Sequence, residues 1–157
     1  TVFNYALGAL GYALPAVVGA YYARPESCII ALIGDGSFGL SAGELETISR
    51  VGGNINIILF NNGTFGWIRA AQRFESLDKN YFQTSFSRTD YSKVASGYGL
   101  SSYQVTEPSH LKETLNTALR SGGPSFIALK VKSEEERVPP VPSWVEKERE
   151  ENLDYFY

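Results

Sequence analysis

The sequence has one cysteine, Cys28, and one histidine, His110, in 157 residues. A single thiol excludes an internal disulfide framework, a four-cysteine zinc site and a self-contained iron–sulfur cluster. Cys28 sits in the apolar run Cys28-Ile29-Ile30-Ala31-Leu32-Ile33, which predicts a small buried hydrophobe at that position. A histidine-based metal site or a Ser-His-Asp triad would have to be built around one imidazole. His110 falls at the start of a predicted helix and is read as a surface residue. Neither sign of charge is in excess: 14 basic against 17 acidic side chains leave a net charge of -3. That balance gives no electrostatic footing for nucleic acid or for an anionic membrane. An anionic ligand must therefore be met locally, by backbone N–H groups or a metal. Uninterrupted apolar spans are lacking too. Residues 5–23 are apolar almost throughout, but Gly8, Gly11, Pro15 and Gly19 break the run. It has no basic leader and ends in the charged turn Arg24-Pro25-Glu26, so it reads as a buried helix packed closely on other backbone. The expected compartment is cytoplasmic. Thr1 in place of an initiator Met suggests a fragment or a processed chain.

What is present is the composition of a globular domain, with 43% hydrophobic and 20% charged residues and enough length for a sizeable core. Short β-branched runs alternate with helical stretches. The expected fold class is α/β, an open doubly wound, mainly parallel sheet with helices on both faces. The pattern predicts a helix near 9–23, a strand at 27–33, and a helix at 41–51 closed by Gly52-Gly53. A strand at 54–60 has the continuous apolar character of one buried on both faces. Another strand at 102–106, a helix at 108–120 ended by Gly122-Gly123, and a strand at 125–131 complete the pattern. Residues 63–73 and 90–97 give weaker helical signals. Residues 75–90, with Tyr81, Phe82 and Phe86, read as an irregular surface loop that packs its own aromatics. From Ser133 the chain changes to Glu134-Glu135-Glu136 and then Pro139-Pro140-Val141-Pro142. The expected division is a domain at 1–132 and a charged tail at 133–157, extended around the prolines and helical afterwards.

The chemistry concentrates where two strands end. The first runs into Gly34-Asp35-Gly36-Ser37-Phe38-Gly39, the second into Asn61-Asn62-Gly63-Thr64. In an open parallel sheet, ligands bind beyond the carboxyl ends of the strands. The first motif literally matches the dinucleotide fingerprint G-x-G-x-x-G. Asp35, however, would aim a carboxylate at the place of a pyrophosphate, which is repulsive unless a cation intervenes. The second strand also ends in two asparagines, not in the acid that would hold a ribose. Mg2+ removes the conflict, because it takes six oxygens and commonly combines one or two carboxylates with phosphate oxygens. Asp35 offers a carboxylate, Asn62 an amide oxygen and Thr64 a backbone carbonyl; two diphosphate oxygens and a water would complete the shell. Gly34 and Gly36 let the backbone approach the phosphates, Ser37 adds a hydroxyl, and the next helix adds its N-terminus.

Gly34-Asp35-Gly36, then 24 residues, then Asn61-Asn62 resembles the thiamine-diphosphate motif of the decarboxylase and acetohydroxyacid synthase superfamily. The stretch Gly8-Ala9-Leu10-Gly11-Tyr12-Ala13-Leu14-Pro15-Ala16 is independently similar to the family's segment upstream of that motif. Pro139-Pro140-Val141-Pro142-Ser143-Trp144 looks like a synthase-type C-terminal end. The resemblance is to the C-terminal, diphosphate-binding domain and implies thiamine diphosphate and Mg2+ as cofactors. It implies that Leu10 wedges between the cofactor's two rings, where many synthases carry Met. The Gly8 carbonyl would accept from the 4'-amino group, and the Leu10 N–H would donate to a ring nitrogen. The family's catalytic Glu belongs to a separate pyrimidine-binding domain, in another part of the chain or another subunit. No catalytic residue is therefore assigned here, and Glu44 and Glu46 are read as serving packing or solvent. Ile68 stands where pyruvate decarboxylases carry a Glu, which leans toward carboligation of a small 2-oxo acid; Trp67 is a candidate pocket wall. The implied partners are the pyrimidine-binding domain and further copies in a homo-oligomer, met by an apolar face around residues 5–20. The alternatives are a small subunit of a split 2-oxo-acid decarboxylase and a non-catalytic assembly module that keeps the fold. A 2-oxo-acid:ferredoxin oxidoreductase subunit would bring cluster cysteines.

Overall fold

The computed structural model describes residues 1–2, 7–75, 81–133 and 140–150. The tail residues Glu134-Glu135-Glu136 and Pro139 lie outside that set, as do residues 151–157. The described chain divides into two compact units, Thr1–Asn61 with Asp90–Lys130 and Asn62–Thr89 with Val131–Tyr157.

The first unit is a four-stranded sheet, β1 (Ile29–Gly34), β2 (Ile55–Asn61), β3 (Ser101–Val105) and β4 (Ser125–Lys130), in the order β1-β2-β4-β3. Every pairing is parallel, so the α/β expectation holds. The connections include the helices α1 (Ala13–Ala23), α2 (Asp35–Gly39), α3 (Glu44–Val51), α5 (Tyr91–Gly97) and α6 (Leu111–Arg120). β2 lies between two neighbours, and all five residues from Ile55 to Leu59 are buried, as its unbroken apolar run requires. Side chains alternate between faces along each strand. On one face Ala31, Ile33, Ile55, Ile57, Leu59, Phe126 and Ala128 form the main core with Leu14 and Val17 of α1, Leu45 and Ile48 of α3, and Tyr91 and Ala95 of α5. Ile127 and Leu129 alternate onto the other face, where α6 packs against β3 and β4. The β1 side of that face is open: Ile30 and Leu32 are 49% and 62% exposed.

Asn56 interrupts the apolar run of β2 and is fully buried. Its amide donates to Asn54 Oδ1 at 2.7 Å and to Cys28 Sγ at 3.5 Å, and it accepts from the Ser125 hydroxyl at 2.7 Å. The burial expected for Cys28 is not found. The thiol precedes the first residue of an edge strand and is exposed. The predicted first helix also starts later, at Ala13 instead of near residue 9. Gly8 and Gly11 have φ of +63° and +86°, values that an α-helix cannot contain. No helix among the described residues is long and apolar enough to cross a membrane.

The second unit contains α4 (Gly66–Glu75) and α7 (Pro142–Glu150), a helix that begins on the last proline of the run and not after it. Trp144 of α7 stacks on Phe74 at 5.4 Å and donates from its indole to Glu75 Oε1 at 3.1 Å. Phe86 packs on a residue outside its own loop. It meets Phe65 edge to face at 4.5 Å, while Phe82 remains 73% exposed.

Candidate functional site

Gly34 ends β1 in register with Phe60 of β2, so Asp35 and Asn61 leave the sheet side by side at its carboxyl edge. The turn after Gly34 is α2, held down by Phe38, which is 2% exposed and packs its ring against Tyr91 at 5.5 Å and Phe126 at 5.4 Å. That anchor buries Asp35 to 3% exposure. Its carboxylate accepts from the Gly36 N–H at 2.9 Å. A buried carboxylate is costly unless donors or a cation stand around it. The Gly36 N–H is one such donor to Asp35.

Ser37 has a contact that the motif did not announce. Its hydroxyl accepts from the Gly11 N–H at 2.9 Å, across 26 residues of chain. A Cβ on Gly11 would lie 3.4 Å from Leu40 Cβ, so this loop runs close over α2. The structure thus brings Gly8, Leu10, Gly34, Asp35, Gly36 and Ser37 into one unit, with the loop tied to the turn. Leu10 is 49% exposed; it is no core leucine and is free to meet a ligand.

Asn62 follows Asn61 in the chain and opens the second unit. Its side-chain oxygen accepts from the Thr64 N–H at 3.1 Å, around a Gly63 with φ of +75°. Thr64 pairs with Ser85 in an isolated antiparallel bridge. The Phe65 N–H donates to the Thr84 carbonyl at 2.9 Å, and the Phe86 N–H donates to the Gly63 carbonyl at 2.8 Å. In that arrangement Thr64 and Ser85 form the non-hydrogen-bonded pair, so the Thr64 N–H and C=O point away from the partner strand. The N–H goes to the Asn62 amide oxygen.

Among the described residues no three His, Cys, Asp or Glu side chains gather as a metal cluster. The first unit offers the Asp35 carboxylate, and the second, taken by itself, offers the Asn62 amide oxygen and the Thr64 backbone carbonyl. Such oxygens fit Mg2+, which takes its remaining ligands from phosphate and water, and do not fit a soft metal.

The other residues singled out by sequence are placed as follows. Glu46 forms an exposed pair with Arg50 at 3.0 Å, and the hydrogen bond from Arg50 holds its carboxyl below the ordinary carboxylate range. Glu44 begins α3 half-buried, and His110 is exposed in a short 3-10 turn. Trp67 and Ile68 are exposed on α4, with the Trp67 ring 5.9 Å from that of Trp144. An open depression along α6, lined by Lys112, Glu113 and Arg120, contains no motif residue and is a solvated helix face of mixed charge. Sequence reasoning missed Gln72 and Arg69 of α4. Their long side chains reach the segment after the helix, a relation with no periodic signature.

The family model for the thiamine pyrophosphate enzyme, C-terminal TPP binding domain, matches residues 1–129. The chain is similar to the acetolactate synthase isozyme 2 large subunit of Escherichia coli (strain K12), 32% identical over 142 residues that cover 87% of this chain and 25% of that protein. It is 33% identical over 137 residues to the acetolactate synthase of Arthrospira platensis, covering 86% of this chain and 24% of that protein. It is also 34% identical over 139 residues to a 3D-(3,5/4)-trihydroxycyclohexane-1,2-dione hydrolase of Clostridium perfringens, covering 82% and 22% respectively. The chain spans about a quarter of the length of these curated relatives.

Proposed function

Because the chain belongs to the C-terminal TPP binding domain family of thiamine pyrophosphate enzymes, we propose that it holds the diphosphate end of thiamine diphosphate through Mg2+ within an acetolactate-synthase-like enzyme acting on pyruvate-type 2-oxo acids. The observation that carries this reading is the buried Asp35 carboxylate, set at the end of β1 where the neighbouring strand ends in register on Asn61. Asp35, Asn62 and the Thr64 carbonyl would hold the metal. Gly34, Gly36 and Ser37 would meet the diphosphate, where glycine allows the backbone to come close. The Gly8 carbonyl and Leu10 would meet the aminopyrimidine end, with Leu10 as the wedge. The cofactor supplies an electron sink for cleavage next to a carbonyl. The residues of this chain bind and orient it; the glutamate that starts the chemistry belongs to a pyrimidine-binding domain. The chain by itself is accordingly inactive, and the working site lies between domains of a homo-oligomer.

A second reading concerns the reaction. Identity to a cyclic-dione hydrolase, 34%, is close to the 32% and 33% to the two synthases, so hydrolysis of a 1,2-dione on the same cofactor frame stands beside carboligation. Product analysis with pyruvate and with a cyclic 1,2-dione separates the two. The cofactor assignment is tested by calorimetry on the full-length protein with thiamine diphosphate, with and without Mg2+. Mg2+-dependent binding is expected in the wild type and is abolished in Asp35→Ala. If wild type and Asp35→Ala give the same heats with no dependence on Mg2+, the assignment is wrong.

A further inference from the structure

Two side chains of α4 are committed to the segment 81–86. Gln72 matches both backbone groups of one residue: its Nε2 donates to the Phe82 carbonyl at 3.0 Å, and the Phe82 N–H donates to its Oε1 at 3.2 Å. The Thr84 hydroxyl donates to the same Oε1 at 3.2 Å. Arg69 donates from Nη1 to the Ser85 hydroxyl at 2.8 Å, and its guanidinium lies 3.8 Å from the centre of the Tyr81 ring. Between the two residues held by Gln72, Gln83 has φ of +53°, a costly conformation for a non-glycine residue. A segment that keeps such a residue is fixed from outside, and Gln72 fixes it on both sides. This strap then pairs with the turn after β2 through Phe86 to Gly63, Phe65 to Thr84 and the Thr64–Ser85 bridge. That pairing turns the Thr64 carbonyl away from the strap.

We propose that Gln72, with Arg69 behind it, is a positioning residue for the metal: it sets the strap 81–86, and the strap sets the direction of the Thr64 carbonyl. The proposal rests on the Mg2+ reading given above. Gln72 touches neither metal nor cofactor and acts through the backbone pairing. Residues that orient metal ligands from outside typically change metal affinity by about 10–100-fold when removed.

The test measures Mg2+ binding by calorimetry on the full-length protein with thiamine diphosphate present, and amide hydrogen exchange on the metal-free protein. Gln72→Ala is expected to weaken Mg2+ by about 10-fold or more. Exchange at Phe65 and Phe86 should speed up, while the strands of the sheet keep their protection. Gln72→Glu keeps the acceptor for Phe82 and Thr84 but loses the donor, and should fall between wild type and Gln72→Ala. Thr84→Val, of nearly the same shape, removes the hydroxyl that donates to Gln72 and accepts from Arg69, and replaces Gln72→Ala if that variant does not fold. Mg2+ affinity within twofold of wild type in these variants overturns the proposal, as does a loss of protection spread through the whole sheet. A wild type that takes up no Mg2+ is a different result: it refutes the metal reading itself.

Discussion

Gly11→Ala probes the loop that ties the cofactor's ring end to its diphosphate end. Gly11 sits at φ of +86°, and an added Cβ would meet Leu40 Cβ at 3.4 Å, ordinary contact that needs no rearrangement. The penalty is therefore in the backbone. Left-handed conformations cost an L-residue about 1–2 kcal/mol. The hydrogen bond from the Gly11 N–H to the Ser37 hydroxyl resists relaxation, and a bond of this kind contributes about 0.5–1.5 kcal/mol net. Strain and restraint are comparable, so in the free protein the alanine loop should let go of Ser37. For folding, the alanine also restricts the unfolded chain, by about 0.4–1 kcal/mol, which offsets part of the strain. Thermal stability should thus fall by only a few degrees. For binding there is no such offset, since the loop must return to the strained shape to place Gly8 and Leu10. The full 1–2 kcal/mol then appears as roughly 5–30-fold weaker binding of thiamine diphosphate at saturating Mg2+. Calorimetry on the full-length protein reads the affinity, and hydrogen exchange at residue 11 reads the loop. Wild-type affinity in Gly11→Ala, with that amide still protected, would refute the reasoning.

Two further outcomes follow from contacts away from the site. In Gly53→Ala the new Cβ would fall 2.3 Å from Tyr21 Cε2 at a backbone with φ of +80°. The ring must move as well as the backbone, at a combined cost of about 2–5 kcal/mol and roughly 5–15 °C in melting temperature; an unchanged melting curve would show that Tyr21 is loosely held. Asp90 caps α5 by accepting from the Lys93 N–H at 3.0 Å and the Ser92 hydroxyl at 2.6 Å, and these bonds hold its carboxyl below the ordinary range, Ser92 foremost. A depressed folded value means that the cap's contribution is complete above the ordinary carboxylate pKa of about 4 and is lost as pH falls below it. The melting-temperature difference between wild type and Asp90→Ala should be constant above about pH 5 and shrink below about pH 4; a difference that persists undiminished to pH 3 would contradict the capping role.

The sequence made the strands and their ends legible because those signals are local. The apolar run of β2 announced a strand buried on both faces, and the carboxylate in Gly34-Asp35-Gly36 argued for a cation before any geometry was known. What stayed hidden depends on which segments meet. Cys28 and Leu32 lie in an apolar run like that of β2, yet β1 is an edge strand and both are exposed. Apolar character does not tell an edge from a centre. Gly8 and Gly11 were visible as glycines, but only their positive φ values show that the helix cannot start before them. The link from Ser37 to Gly11 spans 26 residues, and the grip of Gln72 on Phe82 spans 10. Neither follows from a period or a spacing. That Asp35 and Asn61 lie at the ends of two strands was readable; the bonds that hold the neighbouring segments in place were not.

The buried amide of Asn56 bears on how the sheet finds its alignment. A strand that is apolar on both faces slides past its neighbours with little change in what it buries, so hydrophobicity alone leaves its register poorly defined. Asn56 removes that freedom. One step of slippage would part its oxygen from the Ser125 hydroxyl and strand a polar group in the interior, an error far more costly than the loss of one ordinary contact. The strand ends are separated from Asn56 by a fixed number of residues. The amide at the bottom of the sheet is therefore the ruler that brings Asp35 and Asn61 level at its top.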